Sequence, residues 1–415
     1  MLFIYRTLIN LVYLISPLII IFRVLKNKEH PSRFQEKIGF FSLKKINGKL
    51  IWFHGASVGE LLSVVPLIEK FEKDSSIKQI LVTSNTLSSS KIIEKMNLKK
   101  TIHQFFPIDT NYTSKKFINY WKPSKVFLID SEIWPNMILN LKKREIPLIL
   151  LNGRITKKTF NRWKFFPKFS KKIFSNFNLC FPASKESYSY LKRFGVKNVK
   201  FIGNLKFSQS ETEIPKINNK IKDSLKKRKT WCASSTHQTE EAICAKAHIK
   251  LKEKFHNLIT IIIPRHIERS DKIKKELEKL KLKVHLHTSN QNIKLNTDIY
   301  LVNSYGNTKT FYNHTNNVFL GGSLIKHGGQ NPLEAARFGC NILTGPFVHN
   351  FTEIFKFLEK HKISKTISNE EKLTDKLRIL LRKKHKVNKI KTKLEIIGKN
   401  ILKNTYKEIN LINHD

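Results

Sequence analysis

The stretch "KLIWFHGASVGELLSVVPLIEKF" (residues 49–71) decides the fold. It opens with an apolar run, LIWF, that reads as a buried strand and closes in the turn "HGAS". Beyond Glu60 the apolar residues fall at Leu61, Val64, Val65 and Ile68, the spacing of one helix face. A strand therefore hands over to a helix, and Glu60 stands at the junction. Two readings of Glu60 are open. Ser57 and Glu60 have the S-x-x-E spacing of a capping box, in which each side chain satisfies a backbone N–H of the first turn. Alternatively, Glu60 is a functional carboxylate at a strand's C-terminal end, where open α/β sheets place their ligands.

The same handover recurs along the chain. Residues 79–84, 125–130, 147–151, 178–182 and 199–202 read as further strands, with a helix near 88–97 and another opened by Pro135. Residues 208–228 are polar and carry no strand pattern, which predicts a linker. The scheme then repeats with strands at 230–234, 258–264, 298–303, 317–320 and 341–344, helices including 239–255 and 331–338, and a lysine-rich helical tail from 370. Such alternation predicts an α/β protein built from parallel sheets with helices on both faces. The expected organisation is an N-terminal anchor (1–28), a first Rossmann-like domain (29–207), the linker, and a second Rossmann-like domain with the C-terminal helices (229–415). The two domains are expected to face a central cleft.

Composition agrees. A chain of 415 residues suits two cores rather than one. Its four cysteines (Cys180, Cys232, Cys244, Cys340) have no C-x-x-C spacing, which argues against a disulfide framework or thiolate metal site and fits a reducing compartment. Lys and Arg number 77 against 32 Asp and Glu, formally +45, a field that favours polyanions. The lysines are dispersed, and no RNP, zinc-finger or KH pattern accompanies them, so nucleic acid is the weaker choice and an anionic membrane surface the stronger. The N-terminal "MLFIYRTLINLVYLISPLIIIFRVLKNK" is apolar almost throughout to Phe22, then basic at Arg23, Lys26 and Lys28. It has no small-residue cleavage site and reads as a retained membrane helix with its basic flank on the cytoplasmic side. Whether it crosses the bilayer or only dips into it stays open at this level.

Candidate functional residues cluster after the strands. "DSEIWPN" puts Asp130 and Glu132 at a strand end ahead of a proline-started helix; the plain alternative is a pair of first-turn acids favoured by the helix dipole. "GNLKF" places Lys206 before the linker, where a solvated lysine is the default. "IIIPRHIERSD" offers Arg265 and His266 as an anion-binding pair at a strand's lip. "FLGGSLIKHGGQNPLEAARFG" runs from strand through glycine-rich loop to a helix starting near Asn331 and Pro332. The glycines allow close backbone approach, the helix start offers N–H groups to a phosphate, and Glu334 is placed to accept from ribose hydroxyls. The plain alternative is a packing loop with a first-turn acid. This loop is neither G-x-G-x-x-G nor a P-loop. His237, Glu240 and His248 invite a metal reading, but their spacing is not H-E-x-x-H. A carboxylate base in one half and a nucleotide cradle in the other suit group transfer from an activated nucleotide donor.

Taken in order, "HGASVGE", "DSEIWPN", "NGRIT", "GNLKF", "SSTHQTEE", "IIPRHIER", "FLGGSLIKHGGQNPLEAA" and "GPFVHNF" resemble the Kdo (3-deoxy-D-manno-octulosonic acid) transferases, membrane-associated GT-B glycosyltransferases of lipopolysaccharide synthesis. The resemblance implies a CMP-Kdo donor, a lipid A precursor (lipid IVA) as acceptor, inversion at the transferred sugar, and the cytoplasmic face of the inner membrane. It implies no cofactor beyond the activated sugar and a metal-independent reaction. By position, Glu60 matches the general base. Asp130, where the family usually has glutamate, and Lys206 match the transition-state stabilisers, and Glu132 beside Asp130 keeps the family's residue type. Arg265, His266, and the stretch Asn331, Pro332, Leu333, Glu334 match the nucleotide contacts. Tyr305, Gly306 and Asn307 stand where the family usually has Met-Gly-Glu. Two rivals remain: another GT-B enzyme, expected to bind uridine over cytidine nucleotides, and a basic nucleic-acid binder, expected to show steep salt dependence.

Overall fold

The computed structural model describes residues 1–96, 98–209, 217–288, 292–383 and 387–413. An apolar helix α1 (Leu2–Leu25) precedes the first sheet. The chain then runs β1 (Lys49–His54), α2 (Val58–Glu72), β2 (Ile77–Ser84), α3 (Leu87–Lys95), β3 (Thr101–Phe105), α4 (Asn111–Trp121) and β4 (Lys125–Ile129). After these come α5 (Pro135–Lys142), β5 (Leu148–Gly153), α6 (Lys157–Lys164), α7 (Pro167–Phe174), β6 (Leu179–Pro182) and α8 (Lys185–Arg193). The strands are parallel and form one six-stranded sheet in the order β3-β2-β1-β4-β5-β6. The order reverses between β1 and β4, so the loops after these two strands part and leave a crevice above the sheet, the position that α/β proteins use for ligands. Five of the six residues of β1 are buried, which is why it reads as an apolar run rather than an alternating one. Trp52, Phe117, Trp121, Leu128 and Leu150 belong to one core cluster, each side chain contributing on the order of 1.5–3 kcal/mol by burial.

The second sheet is built the same way. It takes α9 (Asn219–Lys226), β7 (Lys229–Thr236), α10 (Glu240–Lys252), β8 (Leu258–Pro264), α11 (Ser270–Glu278), β9 (Val284–Leu286), β10 (Ile299–Leu301), α12 (Thr308–Tyr312) and β11 (Asn317–Leu320). It continues with α13 (Leu333–Arg337), β12 (Asn341–Thr344), α14 (Thr352–Lys360), β13 (Ser364–Thr366), α15 (Glu370–Arg382) and α16 (Val387–Asn410). Its seven strands are parallel in the order β13-β12-β11-β7-β8-β10-β9, with the reversal between β7 and β11. Trp231, Leu251, Ile262, Leu301 and Phe319 lie in its core.

Several expectations need correction. Residues 199–202 form no strand and contribute a single bridge, Val199 to Cys180. The helix expected over 331–338 is the short turn α13. Residues 101–105 are a strand that apolar patterning did not reveal. The expected linker contains α9, while its residues 210–216 lie outside the described residues. The two compact units are Met1–Gln209 with Ile397–Asp415, and Ser210–Ile396. The end of the chain thus packs with the first unit rather than the second. Tyr406 meets Phe71 at 5.2 Å between ring centroids. Lys125 Nζ donates to the Ile409 carbonyl at 3.0 Å.

Candidate functional site

In the first unit the candidate side chains gather where the strand order reverses. Glu60 lies in the first turn of α2, three residues after the N-cap Ser57. The capping box expected from that spacing is not formed: Ser57 makes no side-chain hydrogen bond to the helix backbone. Its hydroxyl instead donates to Glu60 Oε1 at 2.9 Å, and the Ala56 N–H donates to Oε2 at 2.8 Å. Burial pushes the Glu60 carboxyl up to about 7, aided by the nearby Glu132 and Asp130 charges and opposed by these two donors. A carboxylate with a pKa there is poised to exchange a proton near neutrality.

Asp130 follows β4 in a left-handed conformation (φ 61°), which Asp tolerates better than most residues. Its N–H donates to the Leu151 carbonyl at 2.9 Å and its carbonyl accepts from the Arg154 N–H at 3.0 Å, fixing the turn between the ends of β4 and β5. Burial raises the Asp130 carboxyl, while the charges of Lys206 and Arg154 pull it back. Glu132 is held from the other side. Its Oε2 lies 3.0 Å from His54 Nε2 and accepts from Trp134 Nε1 at 2.8 Å. Burial works against ionisation of Glu132, but the His54 and Trp134 contacts win and its pKa is lowered. The structure thus brings Glu60, Asp130 and Glu132 within electrostatic reach of one another, with Lys206 acting on Asp130.

One residue that the sequence did not single out ties this group together. Asn152, buried in β5 at φ 52°, donates from Nδ2 to Ser63 Oγ at 3.0 Å and accepts at Oδ1 from the Leu205 N–H at 2.9 Å. Ser63 in turn donates to the Glu60 carbonyl at 2.5 Å. A single side chain therefore links the helix bearing Glu60 to the turn bearing Lys206.

In the second unit the candidates also sit beyond the strand ends. Arg265 and His266 follow β8. Tyr305, Gly306 and Asn307 follow the neighbouring β10, and the Tyr305 hydroxyl donates to Glu268 Oε1 at 2.9 Å, joining the two loops. Gly306 has φ 87°, and Asn307 Nδ2 donates to Ser304 Oγ at 2.6 Å. His237, after β7, stands 5.9 Å from His266 and 4.2 Å from His327, measured between ring centroids, so three imidazoles from three loops meet beside Gly322. His237 is buried, and its Nε2 has no hydrogen-bond partner among the described residues. Burial lowers its pKa, as do the other two histidines.

Part of the glycine-rich loop's backbone is bound within the unit. Gly322 N–H donates to Glu240 Oε2 at 2.7 Å, and Ser323 and Leu324 donate to Oε1 at 3.1 and 3.0 Å. The His237 N–H adds a fourth bond to Oε2 at 3.0 Å. The Leu333 N–H at the start of α13 is taken by Asn331 Oδ1 at 3.1 Å. Glu334 sits in the first turn of α13 after Asn331 and Pro332. At Gly321 an added Cβ would stand 2.5 Å from the Ser235 carbonyl, so only glycine permits this approach to β7. His248 belongs elsewhere, contacting Thr260 Oγ1 at 2.8 Å, and no cluster of metal-ligating side chains occurs among the described residues.

Two doubly wound parallel sheets, each with polar groups collected at its point of reversal, define the architecture of a GT-B-type sugar-nucleotide enzyme. A UDP-GlcNAc 2-epimerase from Neisseria meningitidis, solved with UDP-GlcNAc, shares this fold with a TM-score of 0.54 at 12% identity, over 86% of this chain and all of that one. The family model of the 3-deoxy-D-manno-octulosonic-acid transferases matches residues 32–209. The 3-deoxy-D-manno-octulosonic acid transferase of Rickettsia bellii (strain RML369-C) is 33% identical over 364 residues, 88% of this chain and 87% of its own. That of Haemophilus influenzae (strain ATCC 51907 / DSM 11121 / KW20 / Rd) is 30% identical over 365 residues, 84% of each. The chain belongs to the 3-deoxy-D-manno-octulosonic acid (Kdo) transferase family.

Proposed function

We propose that this Kdo transferase takes its sugar from CMP-Kdo and adds it to a hydroxyl of a lipid A precursor, with inversion, at the cytoplasmic face of the inner membrane. The observation that carries the reading is Glu60: a carboxylate at the reversal point of the first sheet, raised to about 7 by burial and held by two donors among the described residues. As general base it removes the acceptor hydroxyl's proton while that oxygen bonds to the anomeric carbon. The bond from that carbon to the phosphate oxygen breaks, and CMP leaves with the bonding pair. Lys206 and Asp130 stabilise charge as it develops, with Glu132 in support. Arg265 and His266 meet the departing phosphate, while Tyr305–Asn307 and Asn331–Glu334 hold the nucleotide. The apolar α1 and the net charge of +45 favour an anionic leaflet, where the acceptor glycolipid lies.

The test is transfer from CMP-Kdo to a tetra-acylated lipid A precursor by wild type and Glu60→Ala side by side. Product from wild type alone supports donor, acceptor and base together. Equal product from both removes Glu60 from catalysis, and no product from folded wild type overturns the substrate pair.

A further inference from the structure

Helix α1 is long and apolar enough to cross a membrane. Its contacts, however, run the length of the helix. Near its start, the Tyr5 hydroxyl donates to Asp109 Oδ2 at 2.8 Å, and Arg6 donates to Asn136 Oδ1 at 2.9 Å and Asn111 Oδ1 at 3.3 Å. Asp109 is fully buried and also accepts from the Asn136 and Met137 N–H groups that open α5, so Tyr5 is part of the interior network of the first unit. Midway, the Tyr13 hydroxyl donates to the Ile38 carbonyl at 3.1 Å, and Ser16 and Ile20 are buried. At the end, Arg23 pairs with Glu29 at 2.8 Å. Glu29 also binds Lys37, which donates to the Asn85 carbonyl just beyond β2.

These contacts span residues 5 to 23, about 27 Å at 1.5 Å per residue. The hydrocarbon core of a bilayer is about 30 Å thick. A crossing α1 that kept them would drag Asp109, Asn111 and Asn136 to one side of the membrane and Glu29 to the other, with the sheet's polar surface in lipid between. The opposite face of the helix is bare: Phe3 is 81% exposed, Leu14 74% and Leu25 77%. These positions recur every eleven residues, about three turns, and so lie along one line of the helix. Lys26 and Lys28 follow the helix as exposed cations.

We propose that α1 lies in the plane of the leaflet, its polar stripe locked to the first unit and its Phe3–Leu14–Leu25 line sunk among the acyl chains of an anionic membrane, with both ends on the same side. This rests on the membrane placement proposed above. The test uses the full-length enzyme with a single added cysteine at Phe3, Leu14 or Leu25, labelled with an environment-sensitive fluorophore; the chain's four own cysteines are buried. Each is mixed with anionic phosphatidylglycerol vesicles carrying bromine near the headgroup or near the chain ends, and pelleting with the vesicles is scored in parallel. An in-plane helix gives three probes quenched alike, most strongly by the shallow bromines. A deep Leu14 between two shallow ends overturns the proposal while leaving membrane placement intact. Failure to pellet, with no quenching anywhere, overturns both and points to a protein partner for the exposed face.

Discussion

Glu60 and Glu240 occupy the same place in two sheets. Each stands in the first turn of the helix that follows the strand at the point of reversal, β1 in one unit and β7 in the other. Their surroundings are opposite. Glu240 is fully buried and both its oxygens are saturated by four backbone N–H groups, three from the glycine-rich loop. Glu60 is partly exposed and has two donors. A carboxylate whose acceptor sites are filled is a structural element, a fixed anion around which a loop is moulded. One that is half satisfied and desolvated keeps the capacity to take a proton. The same position in the same fold thus holds a saturated carboxylate in one unit and, in the other, the one proposed above as the base; the difference lies in how many amides each carboxylate faces.

The comparison can be broken by exchanging the consequences. Glu60→Gln is expected to lower kcat by about 10²–10⁴-fold, the usual loss on removing a general base, with the fold and the CMP affinity retained. Glu240→Gln should do the reverse. Whichever way the amide turns, its NH₂ faces two backbone donors, so stability falls by about 2–5 kcal/mol and CMP affinity with it, measured by thermal unfolding and titration calorimetry. Variants that behaved oppositely would erase the distinction.

Next in size is Asn152→Ala, which strands the buried Leu205 N–H and is expected to cost about 1–3 kcal/mol. Because Asn152 joins the Glu60 and Lys206 elements, kcat should fall more than the donor KM rises. pH separates the two carboxylates further. The reaction needs ionised Glu60, so kcat/KM should climb as pH rises to about 7 and then level. Stability runs the other way. The folded carboxyl holds its proton more tightly than the unfolded one, so its contribution is full below the ordinary carboxylate range and declines as pH rises through about 7. Denaturant unfolding should therefore show wild type losing ground to Glu60→Gln between about pH 5 and about pH 8. The smallest effect is expected of Ser57→Ala. Loss of one donor moves the rising limb of the rate profile upward in pH and leaves the plateau within about threefold, on the scale of a single hydrogen bond.

Local signals made much of this legible. The apolar runs of β1, β4 and β8, the proline opening α5 and the glycines after β11 fix their elements within a few residues, and Glu60, Asp130, Arg265 and His266 lie at those junctions. What was hidden depends on partners distant in sequence. β3, "TIHQF", buries His103 and Gln104, with His103 Nε2 2.8 Å from Ser84 Oγ and Gln104 Oε1 accepting from Trp121 Nε1 at 3.1 Å, so no apolar pattern marks it. β9 and β13 have three residues each, too few to show a period. Asn152 finds Ser63 and Leu205 across 89 and 53 residues, and Glu240 meets its loop across 82 to 84. No spacing rule connects residues so far apart. The failed capping box teaches the same lesson: the S-x-x-E signal was real, but Ser57 turned its hydroxyl toward the carboxylate rather than the helix.

The course of the chain through its two units has a consequence for how the protein is made. The first unit is interrupted at Gln209 and resumes only at Ile397. Tyr406, which rests on Phe71, and Ile401, within 2.7 Å of where a Cβ at Gly203 would stand, are made only after the whole second unit. The second unit is contiguous and can complete its core as it emerges. The first must wait, its sheet already made but one flank uncovered, until the segment from Ile397 follows. A chain cut before Ile397 would keep most of the second unit and still leave the one bearing Glu60 unfinished.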